Sequence, residues 1–380
     1  VYDKELTSGE VTDLFNAPTD ALTSTSNPTF LSDPTTLHIL KILDTTGGSI
    51  VNQGANLTFD GASGSQLWIS DGTYNTENRT ITASGASTLN IGATGVMCFG
   101  GTTGATTDSC DTGGPTQTSI HNIPTFSGGY LGTAGSTIKY LSDVNMTVSN
   151  QGVGSYNLIL APKMTASRTY TLPANFVANN FTISPTASSG SLGLTVNLGI
   201  NGAVTSTTVI QPDTTNSPTA TLDTVSGQNY PITTGSINIQ TNGTLNIRNS
   251  TAITVNGTTG PLFTRVGTFT TGGSSTVLFT GASGSPVLNS GTVSFDNMTI
   301  SGATTKTLGN DITVYGTLTL TSGTLDAATS NVNVTAGVFS SSNSNTRAIT
   351  MGSGDWTIAG AGTVWNLSLI HISEPTRLLS

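Results

Sequence analysis

From Phe295 to Val338 the chain reads FDNMTISGATTKTLGNDITVYGTLTLTSGTLDAATSNVNVTAGV, and a shift of 20 residues lays this stretch on itself. Phe295 falls on Tyr315, Met298 on Leu318, Ile300 on Leu320, Ile312 on Val332 and Val314 on Val334; farther on, Val338 falls on Ile358. Between these positions apolar residues alternate with Thr, Asn or Ser, as in Ile312-Thr313-Val314 and Leu318-Thr319-Leu320. Alternation is the period of a strand, and recurrence at a fixed lag is the mark of stacked turns. Short strands whose inward residues return once per turn predict a β-solenoid in which neighbouring backbones lie about 4.8 Å apart. A single such turn is unstable alone, because ordering its backbone costs more than its few apolar side chains return; stacking supplies the remainder.

The same texture runs outward through the chain. Val144-Asn145-Met146-Thr147-Val148, Tyr156-Asn157-Leu158-Ile159-Leu160, Ile237-Asn238-Ile239 and Leu245-Asn246-Ile247 all alternate, with Gly, Asn and Ser between the segments. Thr suits a pleated surface, and Gly and Asn supply turns. Phe59-Asp60-Gly61-Ala62-Ser63-Gly64-Ser65 is echoed by Phe279-Thr280-Gly281-Ala282-Ser283-Gly284-Ser285. The run from Phe279 to Gly337, with its phrases FDNMTI and ITVYGTLTLTSGTLD, resembles bacterial β-strand-repeat surface proteins of the haemagglutinin- and adhesin-like right-handed β-helix group. The resemblance covers about Phe263 to Asn366 well and the earlier part in style. It implies a right-handed parallel β-helix and an extracellular setting, and carries over no catalytic residue and no ligand.

Composition narrows the function. Only 8% of the 380 residues are charged and 45 are Gly, unlike an ordinary cytosolic domain. The net charge of −9 opposes attachment to nucleic acid, and no apolar run approaches the roughly 20 residues of a membrane-spanning helix. The expected organisation is a cap or linker over residues 1–45, a solenoid over 46–366 with about 20 residues per turn, and a non-native tail over 367–380. At that period the solenoid would hold about 16 turns, and an irregular excursion near 100–129 would interrupt it. The tail is set apart because Leu367 to Arg377, LSLIHISEPTR, matches one reading frame of a transposon end used in sequencing libraries, as expected of a metagenomic fragment. In the first segment, which holds seven of the 20 acidic residues, Thr7 and Glu10 have capping-box spacing ahead of Val11, Leu14 and Phe15, so either a short capping helix or an inherited linker fits.

Candidate chemistry is sparse. Cys98 and Cys110 either close a disulfide, which an even count in an exported chain favours, or remain two thiols in a long excursion. No His stands near them to complete a zinc site, and calcium-binding nonapeptides are missing, so no metal or cofactor is expected. Asp111-Thr112-Gly113 spells an aspartic-protease triplet without the second copy that chemistry needs. Polysaccharide lyases and tailspike hydrolases built on solenoids would stack acidic and basic residues at the turn period; at lag 20 Asp296 meets Gly316 and Asp311 meets Asn331. His38 and His121 accompany no nucleophile motif. Thr317, Thr319 and Thr321 form an outward row whose counterparts at lag 20 are Gly337, Phe339 and Ser341, so a regular Thr array of the ice-binding kind is not expected. Trp68, Trp356 and Trp365 are read as core or cap before sugar platforms. Asn-x-Thr triplets at Asn56, Asn78, Asn145, Asn180, Asn242 and Asn297 follow from composition. The expectation is a non-catalytic extracellular stalk or adhesin passenger with glycan or matrix partners; a viral fibre or spike stands second and a carbohydrate-active β-helix enzyme third.

Overall fold

In the computed structural model, the residues described are 22–23, 37–43, 50–103, 105, 110, 117–149, 156–250, 252–281, 287–288 and 293–367. The capping helix expected over Thr7–Phe15 and the Asp111-Thr112-Gly113 triplet lie outside them, as does all of the expected tail except Leu367. The described residues form an all-β parallel solenoid of about 12 turns and contain no helix. Among the described residues the strand pairings given by register are parallel and join successive turns. The chain divides into two compact units, residues 1–224 with 239–245, and residues 225–238 with 246–380.

In the first unit the longest run of pairings stacks Ile50–Asn52, Thr73–Asn75, Val96–Phe99, Thr137–Tyr140, Asn157–Leu160, Phe181–Ile183 and Gly202–Ile210. Its inward residues form continuous columns. Val51, Tyr74, Met97, Ile138, Leu158, Phe181 and Thr208 make one, and Phe99, Tyr140, Leu160, Ile183 and Ile210 make another, all buried. A second face stacks Ile39–Leu43, Gln66–Ile69, Thr88–Ile91 and Tyr130–Gly132. The ladder therefore already includes Ile39–Leu43, upstream of the start expected at residue 46.

In the second unit Ile253–Val255, Thr276–Phe279, Asn297–Ile300, the middle of Ile312–Leu320, Val334–Ser341 and Trp365–Leu367 stack in order. Phe279, Ile300, Leu320, Met298, Leu318 and Phe339 point inward and are buried. Phe263, Phe269, Phe279 and Phe295 meet edge to face at 5.1 to 6.3 Å between ring centres, the arrangement that ring quadrupoles favour. Beside this sheet, Thr305–Leu308, Gly323–Asp326 and Arg347–Thr350 form a further parallel stack.

Turn length varies, and this corrects the uniform period. Partners lie 20 apart at Thr137 and Asn157 but 27 apart at Phe181 and Thr208; in the second unit the steps from Ile253 through Val277, Met298, Leu318 and Phe339 to Trp365 are 24, 21, 20, 21 and 26. Longer turns and the excursion explain why there are about 12 turns and not 16. The lag of 20 is right for Met298 with Leu318 and Ile300 with Leu320. It is wrong elsewhere: Phe295 pairs with Val314, Ile312 with Val334, Val314 with Ala336, and Ile358 with Ala336. A register shift between Val314 and Thr317, which sets Tyr315 and Gly316 on one strand opposite the single residue Gly337, accounts for one residue of this drift, and corners of unequal length account for the rest.

Close stacking also dictates composition at the corners. A Cβ on Gly323 would overlap the carbonyl oxygen of Gly302 one turn back, and Gly323 holds a positive φ of 79°. Gly260 has a similar φ of 71° with nothing within 4 Å of an added Cβ. Gly260→Ala should lose about 1 kcal/mol from backbone strain alone, whereas Gly323→Ala should lose at least about 1–3 kcal/mol more. Urea unfolding of the two variants checks this, and equal losses would contradict the stacking argument.

Candidate functional site

The excursion forms a second layer over the first unit. Along Ile50–Asn52, Thr73–Asn75 and Val96–Phe99 the residues opposite the core face outward, yet Ile50, Asn52, Thr73, Asn75 and Cys98 are almost fully buried. The segment that follows Phe99 folds back across them. Asn52 Nδ2 donates to the Ala105 carbonyl at 2.9 Å; Asn75 Nδ2 donates to Asn52 Oδ1 and to the Thr102 carbonyl, each at 3.0 Å. Cys98 and Cys110 are joined by a disulfide with Cα atoms 6.5 Å apart, and their sulfurs pack with Ile50, Ala105 and Leu141. Gly101 is required here, since a Cβ would strike the side chain of Asn75 and the Cys110 carbonyl. The outer layer thus brings its own hydrogen bonds to a face that would otherwise carry unsatisfied amides.

The buried ionisable groups brace neighbouring turns. Asp143, almost fully buried, accepts from Arg168 Nε at one oxygen and from the Thr165 amide and hydroxyl at the other. Burial alone would raise its pKa, but these bonds bring it below the ordinary carboxylate value. Asp296 is treated alike: its oxygens accept from Thr271 Oγ1, the Gly273 and Ser275 amides and Ser275 Oγ at 2.6 to 2.9 Å, and the bonds outweigh burial to lower the pKa. Lys306 is fully buried, donating to the Gly281 carbonyl at 2.7 Å and Thr304 Oγ1 at 2.6 Å, and burial lowers its pKa. None of these three residues was singled out from sequence as a core group. The parity of Lys306 with inward Leu308 in Thr305-Lys306-Thr307-Leu308 was the available signal.

The residues singled out earlier scatter. His38 is exposed and pairs with Asp60 through Nδ1 at 3.0 Å. His121 is buried; its Nδ1 donates to the Arg79 carbonyl at 3.2 Å, and burial pushes its pKa down. Trp68 is half-buried on an outward face, where Lys41 Nζ sits 3.9 Å from its ring centre, so it is neither core nor cap. Trp356 and Trp365 stack against Phe339 in the last described turn. Asp311 aligns with Asn333, not Asn331, and Asp355 follows one turn later; Asn333 donates to Asp311 at 2.8 and 3.0 Å, and the Asp355 amide donates to Asn333 Oδ1. Two carboxylates therefore do recur on one exposed edge, two turns apart. Among the described residues no group of three or more His, Cys, Asp or Glu is placed to hold a metal ion.

Several Asn-x-Thr triplets acquire a structural role. The Oδ1 atoms of Asn56, Asn145, Asn180 and Asn297 accept the backbone amides of Thr80, Thr169, Thr207 and Thr317, each in the following turn. The Thr row also changes meaning. Thr319 is preceded by Thr299 and followed by Ser340, and Thr313 by Thr335 and Thr357, so hydroxyls do stack once the true register replaces the lag of 20.

Two open clefts lie just beyond the ends of inward-packed strands. One, of about 400 Å³, is lined by Ser184, Gln211, Asp213, Thr214 and Gln240 in the first unit. The other, of about 380 Å³, is lined by Ser322, Thr324, Thr346 and Arg347 in the second. The guanidinium of Arg347 is spent on its own loop, donating to the Ser341 and Asn345 carbonyls and Asn343 Oδ1. These clefts offer polar contacts, and neither sets two carboxylates about a shared space. No protein-family model matches the chain, and the searches of curated proteins and of solved structures return no match either. The fold is that of an all-β parallel β-solenoid scaffold.

Two outcomes follow for stability. Replacing Cys98 and Cys110 by Ser frees a loop of 12 residues and should cost about 3 kcal/mol; thermal melts with and without reductant test it, since the variant should no longer respond to reductant. Asp143 and Asp296 have folded-state pKa values below their unfolded ones. Their contribution is present above the unfolded value near pH 4 and is lost as pH falls through the folded value. Asp296→Asn should flatten the acid limb of the stability profile between about pH 5 and pH 2, and an unchanged limb would contradict the assignment.

Proposed function

We propose that the chain is the non-catalytic shaft of an extracellular protein, a stalk or adhesin passenger of the bacterial β-strand-repeat kind, which presents uncharged polar surfaces to glycans or matrix. The observation that carries this reading is where the polar groups go. Buried Asp143, Asp296 and Lys306 are used between neighbouring turns, while stacked outward positions such as Thr299, Thr319 and Ser340 carry hydroxyls. A parallel ladder leaves few loose segments for a protease, and a repeating outward surface offers many weak contacts whose sum is strong through effective concentration. The Cys98–Cys110 bond supports an oxidising compartment, as outside the cell. Among the described residues no helix is long and apolar enough to cross a membrane.

The test is adhesion as a function of display density. Beads carrying the chain at graded density are washed over glycan-coated and bare surfaces. Retention should rise more steeply than linearly with density on the coated surface, and the free chain should bind weakly. Density-independent retention, or none, overturns the adhesive reading; release of reducing sugar from polysaccharides incubated with the chain overturns the non-catalytic one.

A further inference from the structure

The register shift in Ile312–Leu320 does more than bend a strand. Tyr315, on the inserted pair, is 70% exposed, the most exposed large hydrophobic side chain among the described residues. Such shifts re-aim side chains, and this one lifts an aromatic ring off a sheet that buries Phe279, Phe295 and Phe339. Tyr315 lies where the fold leaves room beside it. Opposite Tyr315 in the next turn stands Gly337, and Gly360 packs against Gly337 a turn later; a Cβ on either would strike the backbone of the turn before. The Gly360 amide donates to the Gly337 carbonyl at 2.7 Å, and the register that pairs Ala336 with Ile358 brings exposed Ala359 opposite Gly337, so the floor carries nothing larger than a methyl group.

Rows of polar groups border that floor. On one side Thr313, Thr335 and Thr357 stack over successive turns, and beyond them stand Asp311, Asn333 and Asp355. On the other side Thr317 stands against Val338. Rows in a parallel sheet repeat about every 4.8 Å along the stack, and alternate residues of a strand lie about 7 Å apart. The lane thus combines an exposed ring, a flat floor, hydroxyls and amides, with carboxylates along one edge and no cationic side chain among the residues named.

We propose that this lane binds an uncharged glycan chain lying along the stack, with one sugar ring packed on Tyr315 and its hydroxyls bonded to the Thr313–Thr335–Thr357 row. The chemistry selects the class. A sugar presents an apolar C–H face to an aromatic ring and hydroxyls at its rim, and Thr, Asn and Asp side chains accept and donate there. Asp311 and Asp355 repel sialylated, uronic or sulfated chains, which nothing in the lane would neutralise. A protein segment docking here would find no apolar pocket, because the inward residues Val314 and Ala336 are covered by the sheet itself. The proposal deepens the adhesive reading and rests on it.

The experiment applies the whole chain to an array of neutral, sialylated and sulfated oligosaccharides, then titrates the best neutral binder into the parent, Tyr315→Ala and Tyr315→Trp. Loss of the ring should weaken binding about 3- to 10-fold, the equivalent of one aromatic contact. Tyr315→Trp should restore it, and Tyr315→Ala should melt like the parent, since nothing packs its stability on an exposed ring. Preference for acidic oligosaccharides overturns the proposal. Neutral binding that Tyr315→Ala leaves unchanged overturns the lane as the site while the adhesive reading stands. Absence of glycan binding to the parent at any density overturns both.

Discussion

Each turn of this protein is held by the backbone of the turns on either side of it. An isolated strand of three or four residues such as Leu57–Phe59 or Val293–Phe295 has no stability of its own, so its amides and carbonyls must find partners one turn away. That demand propagates. At the corners, where strands stop and ladder bonds run out, side chains finish the work: Asn145 Oδ1 takes the Thr169 amide and Asp311 Oδ1 the Asn333 amide. The abundance of Asn before strands is thereby explained by backbone accounting. It also explains the low charge. A Lys or Glu at such a place would have to hold its charge against a like residue about 4.8 Å away in the next turn, whereas Asn and Thr can stack without repulsion.

The same demand accounts for what could be read from sequence. The inward columns were legible because burial on one face forces alternation, and a one-residue slip would turn every apolar side chain outward. Met298 over Leu318 and Ile300 over Leu320 are pairs of this kind. Corners are under no such constraint, so they vary in length, and a fixed lag drifts out of register wherever one lengthens. Phe295 was set against Tyr315 because both are aromatic and lie 20 apart, but the inserted pair Tyr315 and Gly316 moves the true partner to Val314. The reading failed where a local insertion mattered more than the average period. It failed at the Thr row for the same reason: Gly337, Phe339 and Ser341 are not the partners of Thr317, Thr319 and Thr321, and Val338 and Ser340 face the first two.

Side chains that act across layers were least legible. Cys98 is outward by parity and should be exposed; only the return of the excursion, through Thr102, Ala105 and Cys110, covers it. Nothing local to Val96–Phe99 announces that cover, although three consecutive buried residues in Ile50–Asn52 and again in Thr73–Asn75 mark it in the fold. The pair Asp143 and Arg168 is separated by 25 residues in a stretch of unequal turns, so no single lag would have joined them.

Enzymes built on stacked turns need carboxylates that are held near one another and yet remain available to a substrate. Among the four carboxylates Asp143, Asp296, Asp311 and Asp355 the two requirements fall on different residues. Asp143 and Asp296 are held, but their oxygens are occupied by amides, hydroxyls and a guanidinium that keep them ionised and inert as proton donors at neutral pH. Asp311 and Asp355 are available, but they stand on an exposed edge two turns apart, with Asn333 between them. A general acid requires a carboxyl raised toward neutrality by desolvation without compensating donors, and each buried carboxylate described above has been given donors in full. The economy of the molecule runs toward rigidity. Asp143, Asp296 and Lys306 brace the stack, while the outward face beside Tyr315 carries hydroxyls, amides and the lifted ring.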